Sequence, residues 1–144
     1  MNGFRIYGEN NQHLSIQLNK IHDFPDSIRY SGGYNAEGTI IIKSGRYSAS
    51  GSLWISAGEI LMFSNQLEEI YDNCCGVAKL GSSEVDFEMS ITIKSRGRAV
   101  VEGTYKEYPA IDNELMFYFE SDQSYILKTL EELNVIIDCY SGKA

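Results

Sequence analysis

The chain has 144 residues, 43% of them hydrophobic and 22% charged, with 20 acidic against 12 basic side chains and a formal net charge of -8. That balance belongs to a globular protein rather than a disordered or fibrous one, and the length suits a single domain over residues 1–144 that buries roughly two thirds of its unfolded surface. The negative field argues against nucleic acid as a direct ligand, because affinity for phosphate backbones comes from clustered Lys and Arg; it suits solubility or a basic protein partner instead.

In chain order, the opening MNGFRIYGENN lacks the basic and apolar regions of a secretion signal. No apolar run approaches the ~20 residues of a membrane span. In HLSIQLNKI, Leu14, Ile16 and Leu18 alternate with Ser15, Gln17 and Asn19, the period of a half-buried strand. The glycine-rich SGGYNAEG, residues 31–38, leads into TIIIK, another strand. A phosphate-binding loop opens a helix instead, and this stretch has neither the Gly-Lys-Ser/Thr ending nor the G-x-G-x-x-G spacing of one. It reads as a turn, with Gly32 and Gly33 at positive φ and Gly38 at a bulge or a close backbone approach. TIIIKSGRYSASGSLW predicts a hairpin of strands 39–43 and 47–54 around Ser44 and Gly45.

Beyond Trp54 the period changes to about 3.6, with Ile60, Phe63, Leu67, Ile70 and Tyr71 on one face of a helix spanning about 57–73. Ser56 and Glu59 have the spacing of a capping box at its start. SEVDFEMSITIK places Val85, Phe87, Met89, Ile91 and Ile93 on one side of a strand and Glu84, Asp86 and Glu88 on the other. RAVVEGTYKEY and NELMFYFE predict two more strands, the second with Leu115, Phe117 and Phe119 facing together. A last helix, about 122–137, starts at Ser121 or Asp122 and carries Ile126, Leu130, Leu133 and Ile137 on its apolar face. The order predicts an α+β fold: a mainly antiparallel sheet of about six to eight strands, with both helices packed on one face. No internal repeat divides the sequence.

The residues carry little catalytic chemistry. His13 and His22 have no acidic or thiol cluster at ligand spacing, His22 beside Asp23 has no nucleophile in reach, and no G-x-S-x-G elbow occurs. Cys74, Cys75 and Cys139 form neither an even set nor a C-x-x-C pair, which disfavours a disulfide framework or structural zinc. Reduced thiols without an export signal predict a cytoplasmic protein with no metal and no cofactor. The acids stand out instead. Glu84, Asp86 and Glu88 recur at roughly 7 Å along one strand face, and Glu68, Glu69 and Asp72 lie off the apolar face of the first helix, near the end where acid opposes the helix dipole. These six residues are the candidates for binding a basic partner.

Four stretches, SGGYNAEG, SGRYSASGSLWISAGEI, the glycine of VVEGTYKEY and NELMFYFESDQSYI, resemble the WapI-type immunity proteins. These are small cytoplasmic bacterial proteins that protect a cell from the toxic C-terminal domain of a polymorphic toxin. The most specific pieces are Leu53, Trp54, Ser56, Gly58 and Glu59, and the run 119–125; Ala57 departs from the hydroxyl residue expected there. The resemblance implies a non-enzyme that binds and blocks a cognate toxin domain, a nuclease with a basic cleft, through an acidic surface. Two other readings stay open. One is a small-molecule binding module or unrecognised hydrolase with a pocket between sheet and helices lined by Tyr34, Tyr105 and Tyr118, and the other is a homodimer joined at an exposed edge strand.

Overall fold

The structure is a computed structural model that describes residues 2–21, 35–82, 86–108, 110 and 112–140. Strands β1 (Gly3–Tyr7), β2 (His13–Ile21), β3 (Asn35–Ser44) and β4 (Tyr47–Ser56) form an antiparallel meander, followed by helix α1 (Ala57–Asn73). Strands β5 (Gly76–Gly81), β6 (Phe87–Ile93), β7 (Arg98–Lys106) and β8 (Glu114–Asp122) form a second meander, followed by helix α2 (Gln123–Tyr140). The expected α+β architecture is present, and the eight antiparallel strands among the described residues divide into two sheets of four. The chain has no repeat legible in its residues, yet its topology repeats: four strands and a helix, twice.

Local chemistry sets the details. The β3–β4 register pairs Ser44 with Tyr47, so the turn is Gly45 and Arg46, one residue beyond the expected Ser44 and Gly45. Gly45 has φ +62°, the left-handed value that a two-residue II′ turn needs at its first central position. The β2–β3 register shifts between Leu18 and Lys20, leaving Asn19 as the extra residue across from Glu37 and Gly38. This bulge is in β2, across from Gly38; at Gly38 itself the expected close backbone approach is present, an added Cβ standing 2.9 Å from the Gln17 carbonyl oxygen, and Asn19 Nδ2 donates to Thr39 Oγ1 at 2.7 Å. Gly32, Gly33, Tyr34 and His22 lie outside the described residues.

Both helices start on polar caps. The Glu59 backbone N–H donates to Ser56 Oγ at 3.1 Å while the Ser56 N–H donates to Glu59 Oε1 at 2.8 Å, the reciprocal capping box. Asp122 caps α2 by accepting from the Ser124 N–H at 2.9 Å and the Ser124 hydroxyl at 2.7 Å, bonds that hold its carboxyl below the usual range. Replacing Ser56 by alanine is expected to lower stability by about 1 kcal/mol, read as a reduced urea midpoint at unchanged m-value.

The helices then cross over. Helix α1 lies along β5, the first strand of the second meander, and α2 lies along β1, the first strand of the first; the two also pack on each other. Strands β1 and β5 are both sheet edges, whose outward N–H and C=O groups lack a strand partner. Side chains at matching places on the helices supply one. Gln66 Oε1 accepts from the Lys79 N–H at 2.8 Å, and Glu132 Oε1 accepts from the Arg5 N–H at 2.8 Å. Thr129 Oγ1 adds a bond to the Arg5 carbonyl at 2.7 Å. The apolar faces match too: Ile60, Phe63, Leu67 and Ile70 are buried in α1, as are Ile126, Leu130, Leu133, Ile136 and Ile137 in α2.

These residues and the inward strand residues form one contiguous core that includes both sheets and both helices. The sheets meet through polar contacts at their rims. Tyr105 Oη on β7 donates to the Ser52 carbonyl on β4 at 2.8 Å, and Ser44 Oγ on β3 bridges both the carbonyl and the N–H of Tyr118 on β8, at 2.7 and 3.2 Å. A side chain at Gly51 would collide with the Tyr105 phenol, so the missing Cβ admits that contact. Burial, and then the carboxylates of Asp86 and Glu107, raise the Tyr105 pKa above its ordinary value.

Candidate functional site

The structure describes five of the six candidate acids and does not bring them onto one surface. Glu88, on β6, points outward and is exposed, while Phe87, Met89, Ile91 and Ile93 face the core as expected. Asp86 corrects the expectation of a wet acidic row. It sits just before β6, is 8% exposed and accepts a bond from the Ser82 hydroxyl, while its carbonyl receives the Lys106 N–H at 2.7 Å. Strand alternation holds only within β6, and ahead of it the Asp86 carboxylate is held inward by the Ser82 hydroxyl. Glu84 lies outside the described residues. Glu68, Glu69 and Asp72 are exposed on the second half of α1 and do not line the groove that contains Glu88.

That groove, of about 540 Å³, runs across the outer face of the second sheet. Its floor is a grid fixed by register: Glu88 faces Thr104, which faces Met116, and in the next row Ser90 faces Glu102, which faces Tyr118. Met116 is 77% exposed and Tyr118 is 53% exposed. Sequence reasoning missed Glu102, Met116 and Tyr118 as surface residues of interest. The signal was present: with Leu115, Phe117 and Phe119 inward, alternation forces Met116 and Tyr118 out, and a large apolar side chain on a wet strand face is informative.

A second groove, of about 620 Å³, lies between the outer face of the first sheet and α2 and includes Arg5, Tyr7, Gln17, Ile41, Glu132 and Val135. Of its two acids, Glu132 is engaged, while the exposed Glu131 has no hydrogen bond or ion pair among the described residues. Tyr7 Oη donates to Glu132 Oε2 at 2.6 Å, and Lys128 Nζ stands 4.9 Å from the centre of the Tyr7 ring. Burial, then the hydrogen bond to Glu132 and its negative charge, raise the Tyr7 pKa from 10.0 to about 12, with Arg5 pulling the other way. Because the folded value lies above the unfolded one, this phenol contributes stability that is complete below pH 10.0 and lost as pH rises through about 12. Tyr7→Phe is therefore expected to cost about 1 kcal/mol at neutral pH, and the difference from wild type closes in urea titrations above the folded pKa.

Of the three tyrosines expected around an internal pocket, Tyr105 and Tyr118 are not brought together. Tyr105 is buried at the sheet junction, Tyr118 is on the outer face and Tyr34 lies outside the described residues. The space enclosed by Ile6, Leu67, Ile91, Val101, Ile126 and Thr129 amounts to about 10 Å³, at the lower limit for one water. No group of three or more His, Cys, Asp or Glu converges among the described residues, and Cys74, Cys75 and Cys139 are free and exposed. No helix among the described residues is long and apolar enough to cross a membrane.

Fold and grooves define the class: a two-sheet α+β scaffold whose two large described grooves lie on the outer faces of its sheets. The family model described as the immunity protein WapI-like family matches residues 5–141. The chain belongs to the WapI-like immunity protein family. No curated protein sequence matches it. Family-bearing stretches fall at structural junctions: SGRYSASGSLW supplies the Ser44, Gly51 and Ser52 contacts between sheets, and NELMFYFESDQSYI supplies Tyr118 and the Asp122 cap.

Proposed function

We propose that this protein is a cytoplasmic, non-catalytic immunity protein that binds the toxic C-terminal domain of a cognate toxin and neutralises it. The observation that carries this reading is the family match over residues 5–141. The net charge of -8 favours a basic target, such as a nuclease whose cleft binds a phosphate backbone, because opposite charges accelerate encounter and slow release once paired and desolvated. Glu88 and the α1 acids Glu68, Glu69 and Asp72 are exposed candidates for meeting that charge, and Glu84, outside the described residues, is a further candidate; Asp86, buried against Ser82, is not one of them.

Co-expression with the C-terminal domain of the toxin encoded beside this gene tests the reading. Survival, together with a purified complex that weakens as salt is raised, is the expected result. Cell death despite soluble expression of this protein, with no complex at low salt, overturns it.

A further inference from the structure

The groove on the second sheet combines features that the other groove lacks. Among the described residues, neither the Glu88 nor the Glu102 carboxylate has a hydrogen bond or ion pair; in the first-sheet groove Glu131 is likewise unbonded, but Glu132 is bound to both the Arg5 N–H and Tyr7. Register makes Glu88 and Glu102 diagonal neighbours on adjacent strands, about 7 Å apart at Cβ, and sets Glu102 directly beside Tyr118. Among the described residues Lys79 is the one cation lining this groove, at the β5 rim beside Ser90, where two unbonded carboxylates stand against its single ammonium. The Met116 and Tyr118 side chains complete the grid on the edge strand β8, with most or half of their surface in water.

An isolated acidic row needs only solvent; an exposed methionine and tyrosine beside it do not. Met and Tyr are enriched where interfaces bury a central anchor, and a tyrosine face attracts a cation while packing its aliphatic stem. A guanidinium is wide enough to bond to two carboxylates spaced across neighbouring strands.

Resting on the immunity reading above, we propose that the outer face of the β5–β8 sheet is the toxin-docking surface and that it takes an arginine or lysine projecting from the toxin domain. Tyr118 and Met116 pack the stem of that side chain, and Glu88 and Glu102 receive its charge. The acids of α1 lie outside the contact and act only through the long-range field.

The test uses the full chain and the C-terminal domain of the adjacent toxin, with binding measured by titration calorimetry at low and high salt. Three variants are compared after thermal melts have shown that each is folded: Tyr118→Ala, the pair Glu88→Gln with Glu102→Gln, and the α1 triple Glu68→Gln, Glu69→Gln, Asp72→Asn. Each sheet variant is expected to raise Kd by about tenfold or more, the glutamine pair also flattening the salt dependence, while the α1 triple, which removes more charge, changes Kd by less than about threefold. Hydrogen exchange on the wild-type complex is expected to protect β6, β7 and β8. Sheet variants that bind like wild type, or protection confined to the helices or to the first sheet, overturn this docking surface and leave the immunity reading standing. Failure of the wild-type protein to bind or protect overturns both.

Discussion

Phe63→Ala is expected to lower the stability of the protein by about 4 kcal/mol, the largest single loss anticipated here. Phe63 is 0% exposed on the buried face of α1, and its ring lies 6.4 Å from that of Phe4 on β1 at an interplanar angle of 36°. Truncation removes both the transfer free energy of the ring and the contacts of its neighbours, since the two sheets and two helices leave little slack to close the cavity. The core runs continuously through both four-strand units, so the loss should appear as one cooperative transition at lower urea. Two separated transitions would show that the units unfold independently.

Gly103→Ala is expected to cost about 3 kcal/mol through a different cause. Gly103 pairs with Met89 on β6 and Phe117 on β8. An added Cβ would overlap the Glu88 carbonyl oxygen, stand 2.8 Å from Met89 Cα and stand 2.9 Å from the Phe117 ring. Two of these obstacles are backbone of a neighbouring strand, which cannot swing aside as a side-chain tip can. The sheet must therefore open between β6 and β7, between the rows that hold Glu88 and Glu102. Gly45 provides the contrast: its φ is +62° and nothing stands within 4 Å of an added Cβ, so alanine there should cost only about 1 kcal/mol from backbone strain. Chemical denaturation of the two variants separates the effects, and equal losses would contradict the steric account.

Much of this architecture was legible along the chain. The helix spanning about 57–73 and its Ser56–Glu59 capping box needed only residues within one or two turns of each other, and the structure has them at Ala57–Asn73. The inward set Phe87, Met89, Ile91 and Ile93 followed from a period of two, and the close backbone approach at Gly38 from a glycine inside a strand. The glycine of VVEGTYKEY was readable as a marker of resemblance, but its reason, a neighbouring backbone packed against the missing Cβ, was not.

The candidate surface was legible only in part. Glu88 is outward as the alternation required, whereas Asp86 follows the same parity and is buried, because parity holds only while the strand lasts. Met116 and Tyr118 were derivable as outward residues, but their adjacency to Glu102 depends on which strand pairs with which, and in what register.

By itself, then, the amino-acid order determined both helices with their caps, six of the eight described strands and the side of each that seeks the core, since those preferences arise between residues close in sequence; the edge strands β1 and β5 were not among them. Tertiary structure alone decided that the strands form two sheets, that each helix covers the edge of the other unit through Gln66, Thr129 and Glu132, and that two glutamates share a groove with Met116 and Tyr118. Those outcomes turn on which distant backbone groups find partners away from water, and a local hydrophobic period carries no record of that choice.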